Sequence, residues 1–108
     1  ESFRHALAAG ILIAMGSDAG TPGNPHGENW REVVHMVSQG MAVERAIHAA
    51  TMEAARLLGL ADTGAIEPGY AADLLVVEGD PMADVMALGQ TRAVWKAGVS
   101  VTLPEIRR

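Results

Sequence analysis

Between Gly10 and Gly16 lie five consecutive apolar residues, Ile11-Leu12-Ile13-Ala14-Met15. So short and uniform a run is the pattern of a β-strand covered on both faces, since a strand with one wet face alternates apolar and polar side chains. Such a strand takes hydrogen bonds from neighbours on both edges. The run therefore restricts the chain to folds in which a sheet is packed between other layers. Upstream, residues 2–9 read as the end of a helix, with Gly10 where a left-handed C-cap belongs. Downstream comes a Gly- and Pro-rich loop over residues 16–27. Helix, buried strand and long loop make one unit of an α/β fold, with the loop at the strand's C-terminal end.

Two helices are expected next. Trp30, Val33, Val34, Val37 and Met41 recur at helical spacing, and Gly40 marks the stop. Val43, Ala46, Ile47, Ala50, Ala54, Leu57 and Leu58 form a second stripe, predicting one continuous helix over residues 43–58 that ends at Gly59. Its N-cap falls on Ala42, which has no side-chain oxygen to offer the free amides. From Gly64 the texture changes. Residues 64–69 are turn-rich, residues 72–77 strand-like, residues 82–88 a short helical turn, and residues 91–96 a second strand. Ala97-Gly98 then turns the chain into a hairpin partner over residues 99–102. The boundary between an α/β part and a small β part is placed near residues 60–65.

Composition narrows the functions. Apolar residues make up 49% of the chain, enough for a core, but no stretch is long enough to cross a membrane. The formal net charge of −5 and a single lysine, Lys96, argue against a nucleic-acid partner. With no cysteine, disulfides and thiolate zinc sites are excluded, and any metal would be held by His, Asp or Glu. The chain opens on Glu1 with no leader segment visible, so the natural start is expected upstream.

Chemistry concentrates in Gly16-Ser17-Asp18-Ala19-Gly20, directly after the buried strand. Strand C-termini facing long loops are where α/β folds build active sites. An aspartate there projects from a rigid element, and flanking glycines let backbone and substrate approach closely. The competing reading is an Asx-turn, in which the carboxylate bonds its own backbone. His26 lies in the same loop, able to contact substrate or to be a plain loop histidine. His5, His35 and His48 fall in helices and are read as non-ligands. Glu28 and Glu32, a turn apart at a helix start, suit the helix dipole. Asp73 is read as fixing a turn, and Trp30 and Trp95 as packing residues.

Taken in order, several blocks resemble the end of the metal-dependent amidohydrolase superfamily. They are Gly16-Ser17-Asp18-Ala19-Gly20, His26-Gly27, Ala49-Ala50-Thr51-Met52-Glu53-Ala54-Ala55, Leu58-Gly59-Leu60, Gly64-Ala65-Ile66-Glu67-Pro68-Gly69, Ala72-Asp73-Leu74, Gly79-Asp80-Pro81 and Val94-Trp95-Lys96-Ala97-Gly98. The match covers about residues 10–102. Within the superfamily it is closest to the prolidase-like and carboxypeptidase-like, imidazolonepropionase-related members, which act on dipeptides or acylated amino acids.

The resemblance implies the last strand and helices of a (β/α)8 barrel in residues 1–62 and the C-terminal half of a composite β-sandwich in residues 63–108. It also implies hydrolysis of a C–N amide bond in a small substrate with one or two divalent metals, Zn2+ foremost. In the family, a His-x-His pair, a carboxylated lysine or Glu, and two later histidines hold the metal. The aspartate after strand eight binds it and handles the proton; that aspartate maps onto Asp18. His26 lies in the loop over the implied pocket, where it could contact substrate or move with a lid. This sequence has no His-x-His and no lysine before Lys96. The expected partners are therefore a missing N-terminal barrel part and a small-molecule substrate, in a homo-oligomer, with neither nucleic acid nor membrane. The rival reading is a non-catalytic assembly or binding module.

Overall fold

The glycine stops set the helical framework in the structure, a computed structural model that describes residues 1–103. Helix α1 spans Ser2–Ala8, α2 Trp30–Ser38, α3 Val43–Ala50 and α4 Met52–Leu57. Three of them end in the same paired bonds. Ile11 N–H reaches the Ala6 carbonyl and Gly10 N–H that of Leu7; Met41 reaches Met36 and Gly40 reaches Val37; Leu60 reaches Ala55 and Gly59 reaches Arg56. In each case a glycine in the left-handed region lets the chain turn back on the carbonyls that the helix leaves open. Ala42 precedes α3 without a side-chain cap bond, as its chemistry requires.

The core forms where α2 and α3 cross. Val33 and Met36 of α2, Met41 of the connection, and Ala46 and Ala49 of α3 are buried. Phe3 and Leu7 of α1, and Val85 and Leu88 farther along the chain, pack onto this cluster. Small side chains on α3 let α2 approach closely, which is why alanine rather than leucine occupies the innermost positions.

The second layer is a three-stranded antiparallel sheet in the order β1 (Leu74–Val77), β2 (Thr91–Lys96), β3 (Val99–Val101). A 3-10 helix over Val85–Gly89 lies between β1 and β2 and packs on α2. There the Trp30 ring lies against Gly89 so closely that a Cβ on Gly89 would sit 2.7 Å from two ring carbons. Trp30 thus joins the helical part to the sheet part, the packing role expected for it. The β2–β3 turn places Ala97 at φ 51 and Gly98 at φ 78. Two positive φ values in a two-residue loop match the right-handed twist of a hairpin. Asp73 holds this turn: its carboxylate accepts from Ala97 N–H at 2.8 Å and from Lys96 Nζ at 3.0 Å.

Two expectations are corrected. Residues 11–15 do not form a strand buried on both faces. They join no ladder among the described residues, and Ile11 and Leu12 are 55% and 73% exposed. A parallel strand draws its ladder from neighbouring strands, and none lies beside this segment among the described residues. It is held instead by two side-on bonds, Arg45 Nη2 to the Ile11 carbonyl at 3.0 Å and Met15 N–H to the Ala49 carbonyl at 2.8 Å. The expected single helix over residues 43–58 is also interrupted. Thr51, at φ −123 and ψ −86, separates α3 from α4, and Leu57 and Leu58 at the end of the stripe are exposed. Helical periodicity passes through the break without a phase change, so the pattern alone does not reveal it.

Two outcomes are expected. Gly89→Ala forces the Trp30 ring to move and should lower stability by about 1–3 kcal/mol, the usual cost of overpacking, read from the denaturant midpoint. The second concerns pH. The Ala97 amide, and after it the Lys96 ammonium, hold the Asp73 carboxyl below its ordinary 3.8. A depressed folded-state pKa means the turn's contribution is complete above 3.8 and is lost as pH falls through the lower folded value. Asp73→Asn should therefore be less stable than wild type at neutral pH, and the two unfolding midpoints should converge on acidification through that window.

Candidate active-site loop

The loop over residues 16–27 is closed by its own backbone rather than by packing. Asn24 is the clasp: its Nδ2 donates to the Ser17 carbonyl, its carbonyl accepts from Gly20 N–H at 2.7 Å, and its N–H reaches the Thr21 carbonyl at 3.0 Å. Thr21 closes the inner turn. Its N–H and its Oγ1 both donate to the Asp18 carbonyl, at 3.3 and 3.0 Å. Asn24 and Thr21 were not singled out from the sequence. The signal was available, because Asn and Thr in a Gly-Pro loop commonly bond backbone groups a few residues away.

Asp18 sits at φ 50, one of two non-glycine residues in the left-handed region among those described. Asp tolerates that region better than most residues, yet strain of this kind persists only where surrounding contacts impose it. The Asx-turn reading fails on the bonding pattern. The turn is held through the Asp18 carbonyl, while its exposed carboxylate accepts no hydrogen bond from the described residues. The acid is left open to whatever lies above the loop.

His26 folds back over Gly20. Its Nε2 lies 2.9 Å from where a Gly20 Cβ would stand, so only glycine admits the ring there. The loop thereby gathers Asp18, Gly20 and His26 on a few residues of backbone. Glu28 pairs with Arg31 at 3.0 Å, and the Arg31 guanidinium lies over the Trp30 ring, 5.0 Å from its centroid. Glu32, in the first turn of α2, suits the helix dipole, as expected. An open depression of about 240 Å³ runs beside the loop, lined by Ser17, Asn24, Glu28, Glu32 and His35 among others. His5 and His48 lie on α1 and α3, away from Asp18 in sequence and element.

These residues do not complete a metal site within this chain. Among the described residues there is no group of three or more His, Cys, Asp or Glu able to hold an ion. Asp18 presents an unengaged carboxylate on a backbone that Thr21 pins through the carbonyl. Likewise, no helix among those residues is long and apolar enough to cross a membrane.

Comparison with known proteins places this helix, loop and sheet arrangement in a class. The amidohydrolase family model matches residues 1–101, and the chain belongs to that family. A Xaa-Pro dipeptidase solved with methionine in its active site superposes with a TM-score of 0.86 at 44% identity, over 93% of this chain and 24% of that one. Ochratoxinase of Aspergillus niger is 33% identical over 91% of this chain and 21% of its own. Imidazolonepropionase of Deinococcus deserti is 32% identical over 91% of this chain and 26% of its own. The chain thus spans a fifth to a quarter of the length of the proteins it matches.

If Asn24 is the clasp, Asn24→Ala should loosen the loop without unfolding the protein. Loss of about 1 kcal/mol of hydrogen bonding corresponds to roughly fivefold faster amide exchange over residues 17–24. The global unfolding midpoint should stay near that of wild type.

Proposed function

We propose that these residues form the C-terminal part of a metal-dependent hydrolase that cleaves C–N amide bonds in small substrates such as dipeptides or acylated amino acids. In this reading, residues 1–62 supply the last strand and closing helices of a (β/α)8 barrel. Residues 63–108 supply half of a β-sandwich, and the N-terminal part of the barrel supplies the remaining ligands. The observation that carries it is Asp18: a strained, backbone-pinned aspartate whose carboxylate is free. Similarity to a Xaa-Pro dipeptidase at 44% identity favours a dipeptide-like substrate over a ring deamination. Exposure of Ile11, Leu12, Leu57, Leu58 and Ile66 is consistent with further chain, or a second copy, covering them in the complete protein.

A divalent metal, Zn2+ foremost, would supply the Lewis acidity that makes water a nucleophile at neutral pH. Asp18 would contribute one ligand oxygen to it. Asp18 also accepts the proton of the water that attacks the amide carbonyl and returns it to the departing amine. Its left-handed backbone, tied through the carbonyl to Thr21, keeps the carboxylate from turning into the loop. His26, whose Nε2 comes close to Gly20, is placed to touch the substrate from the loop side.

Asp18→Asn keeps size and a ligand oxygen but cannot take a proton at neutral pH. In the full-length protein it should lower turnover of a dipeptide substrate by at least about 10²-fold, the lower range for removing a general acid–base group. The unfolding midpoint should hardly change. Wild-type turnover in this variant would end the catalytic assignment.

A further inference from the structure

We infer that Thr51 is a positioning residue for Asp18: by breaking the helix between α3 and α4 it frees the Ala49 carbonyl to receive the Met15 amide. In an unbroken helix the carbonyl of residue 49 would accept from the amide of residue 53, leaving only its second lone pair for another donor. Here α3 stops at Ala50, and the open carbonyls of its last turn find other partners. Thr51 Oγ1 donates to the Ile47 carbonyl at 2.8 Å, and Thr51 N–H to that of His48 at 3.2 Å. The Ala49 carbonyl, left over, takes Met15 N–H at 2.8 Å. Met15 stands three residues before Asp18, and Ser17 and Asp18 are then clasped from the far side by Asn24 and Thr21. The aspartate is thus suspended between a helix break and a loop clasp.

A second segment meets the break from outside. Gly64, at φ +96, crosses Thr51 so closely that a Cβ would lie 2.8 Å from its carbonyl oxygen and 3.1 Å from the Ala55 Cβ. The turn-rich segment that opens at Gly64 therefore passes close by the same residue whose hydroxyl bonds the Ile47 carbonyl. Without that hydroxyl the exposed Ile47 carbonyl turns either to water or back to the α-helical bond from the Thr51 amide. Restoring it draws the chain toward a continuous helix that reclaims the Ala49 carbonyl. The Met15 amide then has no partner, and the residues leading to Asp18 lose their anchor.

This positioning role rests on the catalytic reading of Asp18, and the experiment separates the two. In the full-length protein, Thr51→Val removes the hydroxyl at nearly constant shape, while Thr51→Ser keeps it. Residue-resolved amide exchange at Met15 and turnover of a dipeptide are measured in both, alone and combined with Asp18→Asn. Thr51→Val should speed Met15 exchange at least about fivefold, the counterpart of losing one ordinary hydrogen bond. It should lower turnover roughly ten- to a hundredfold, as misplaced catalytic groups do. Thr51→Ser should restore both. In the Asp18→Asn background, Thr51→Val should lower turnover no further. Unchanged Met15 exchange in Thr51→Val overturns the inference whatever Asp18 does. So does a turnover loss that multiplies in full with that of Asp18→Asn, since Thr51 would then act elsewhere. If Asp18→Asn turns over like wild type, the catalytic reading fails and the catalytic role of Thr51 falls with it. Met15 exchange would still report whether the helix break holds the segment.

Discussion

A helix running without interruption from Val43 to Leu57 would satisfy its own carbonyls and present a smooth face to its neighbours. The interruption at Thr51 changes what the helix can hold. It opens the backbone acceptor at Ala49, and the Met15 amide fills it. Arg45, four residues back on the same helix, reaches the other end of the 11–15 segment through the Ile11 carbonyl. One helix thereby fixes both ends of the segment that leads into the Asp18 loop. Residues 11–15, which join no sheet among the described residues, are nevertheless not free.

The sheet part depends on a different set of constraints with the same logic. A three-stranded antiparallel sheet is near the lower limit of independent stability, and this one is tied down at its turn and its flank. Asp73 locks the Ala97-Gly98 turn from the residue that leads into β1, and Gly98 N–H closes back on the Ala72 carbonyl at 3.0 Å. On the other side, Gly89 against Trp30 sets how close the 3-10 helix comes to α2. Glycine is required at both Gly64 and Gly89, but for unlike reasons. At Gly64 both the positive φ and a backbone carbonyl exclude a side chain; at Gly89 an indole ring alone does.

Family membership and local geometry meet at the loop. Membership in the amidohydrolase family supplies the class, and the loop supplies a reason for Asp18 in particular. A carboxylate that spends its hydrogen bonds on its own turn has little left for a ligand or a proton. Here the turn is satisfied through the carbonyl, so the acid remains available. His26 brings its ring close over Gly20, a position without a Cβ.

What the sequence by itself determined is local: where helices stop and where the hairpin turns. Gly10, Gly40 and Gly59 end three helices because an αL position after a helical run needs nothing beyond its own neighbours. Strand β2 falls on the residues the pattern marks, and the hairpin turn on Ala97-Gly98, because alternation and turn chemistry are short-range signals. Asp73 could be read as a turn residue for the same reason. The tertiary structure decided whatever depends on a partner distant in sequence. The break at Thr51 shows no change of period, since Thr51 serves a helix interior or a helix end equally well. It goes with a contact distant in sequence, the close approach of Gly64, thirteen positions later, to the Thr51 carbonyl. The run at residues 11–15 has the apolar character of a buried strand, but burial and pairing belong to neighbours, and these residues are held by Arg45 and Ala49 instead. The choice between an Asx-turn and a free carboxylate at Asp18 likewise rested on Thr21, whose two donors both went to the carbonyl.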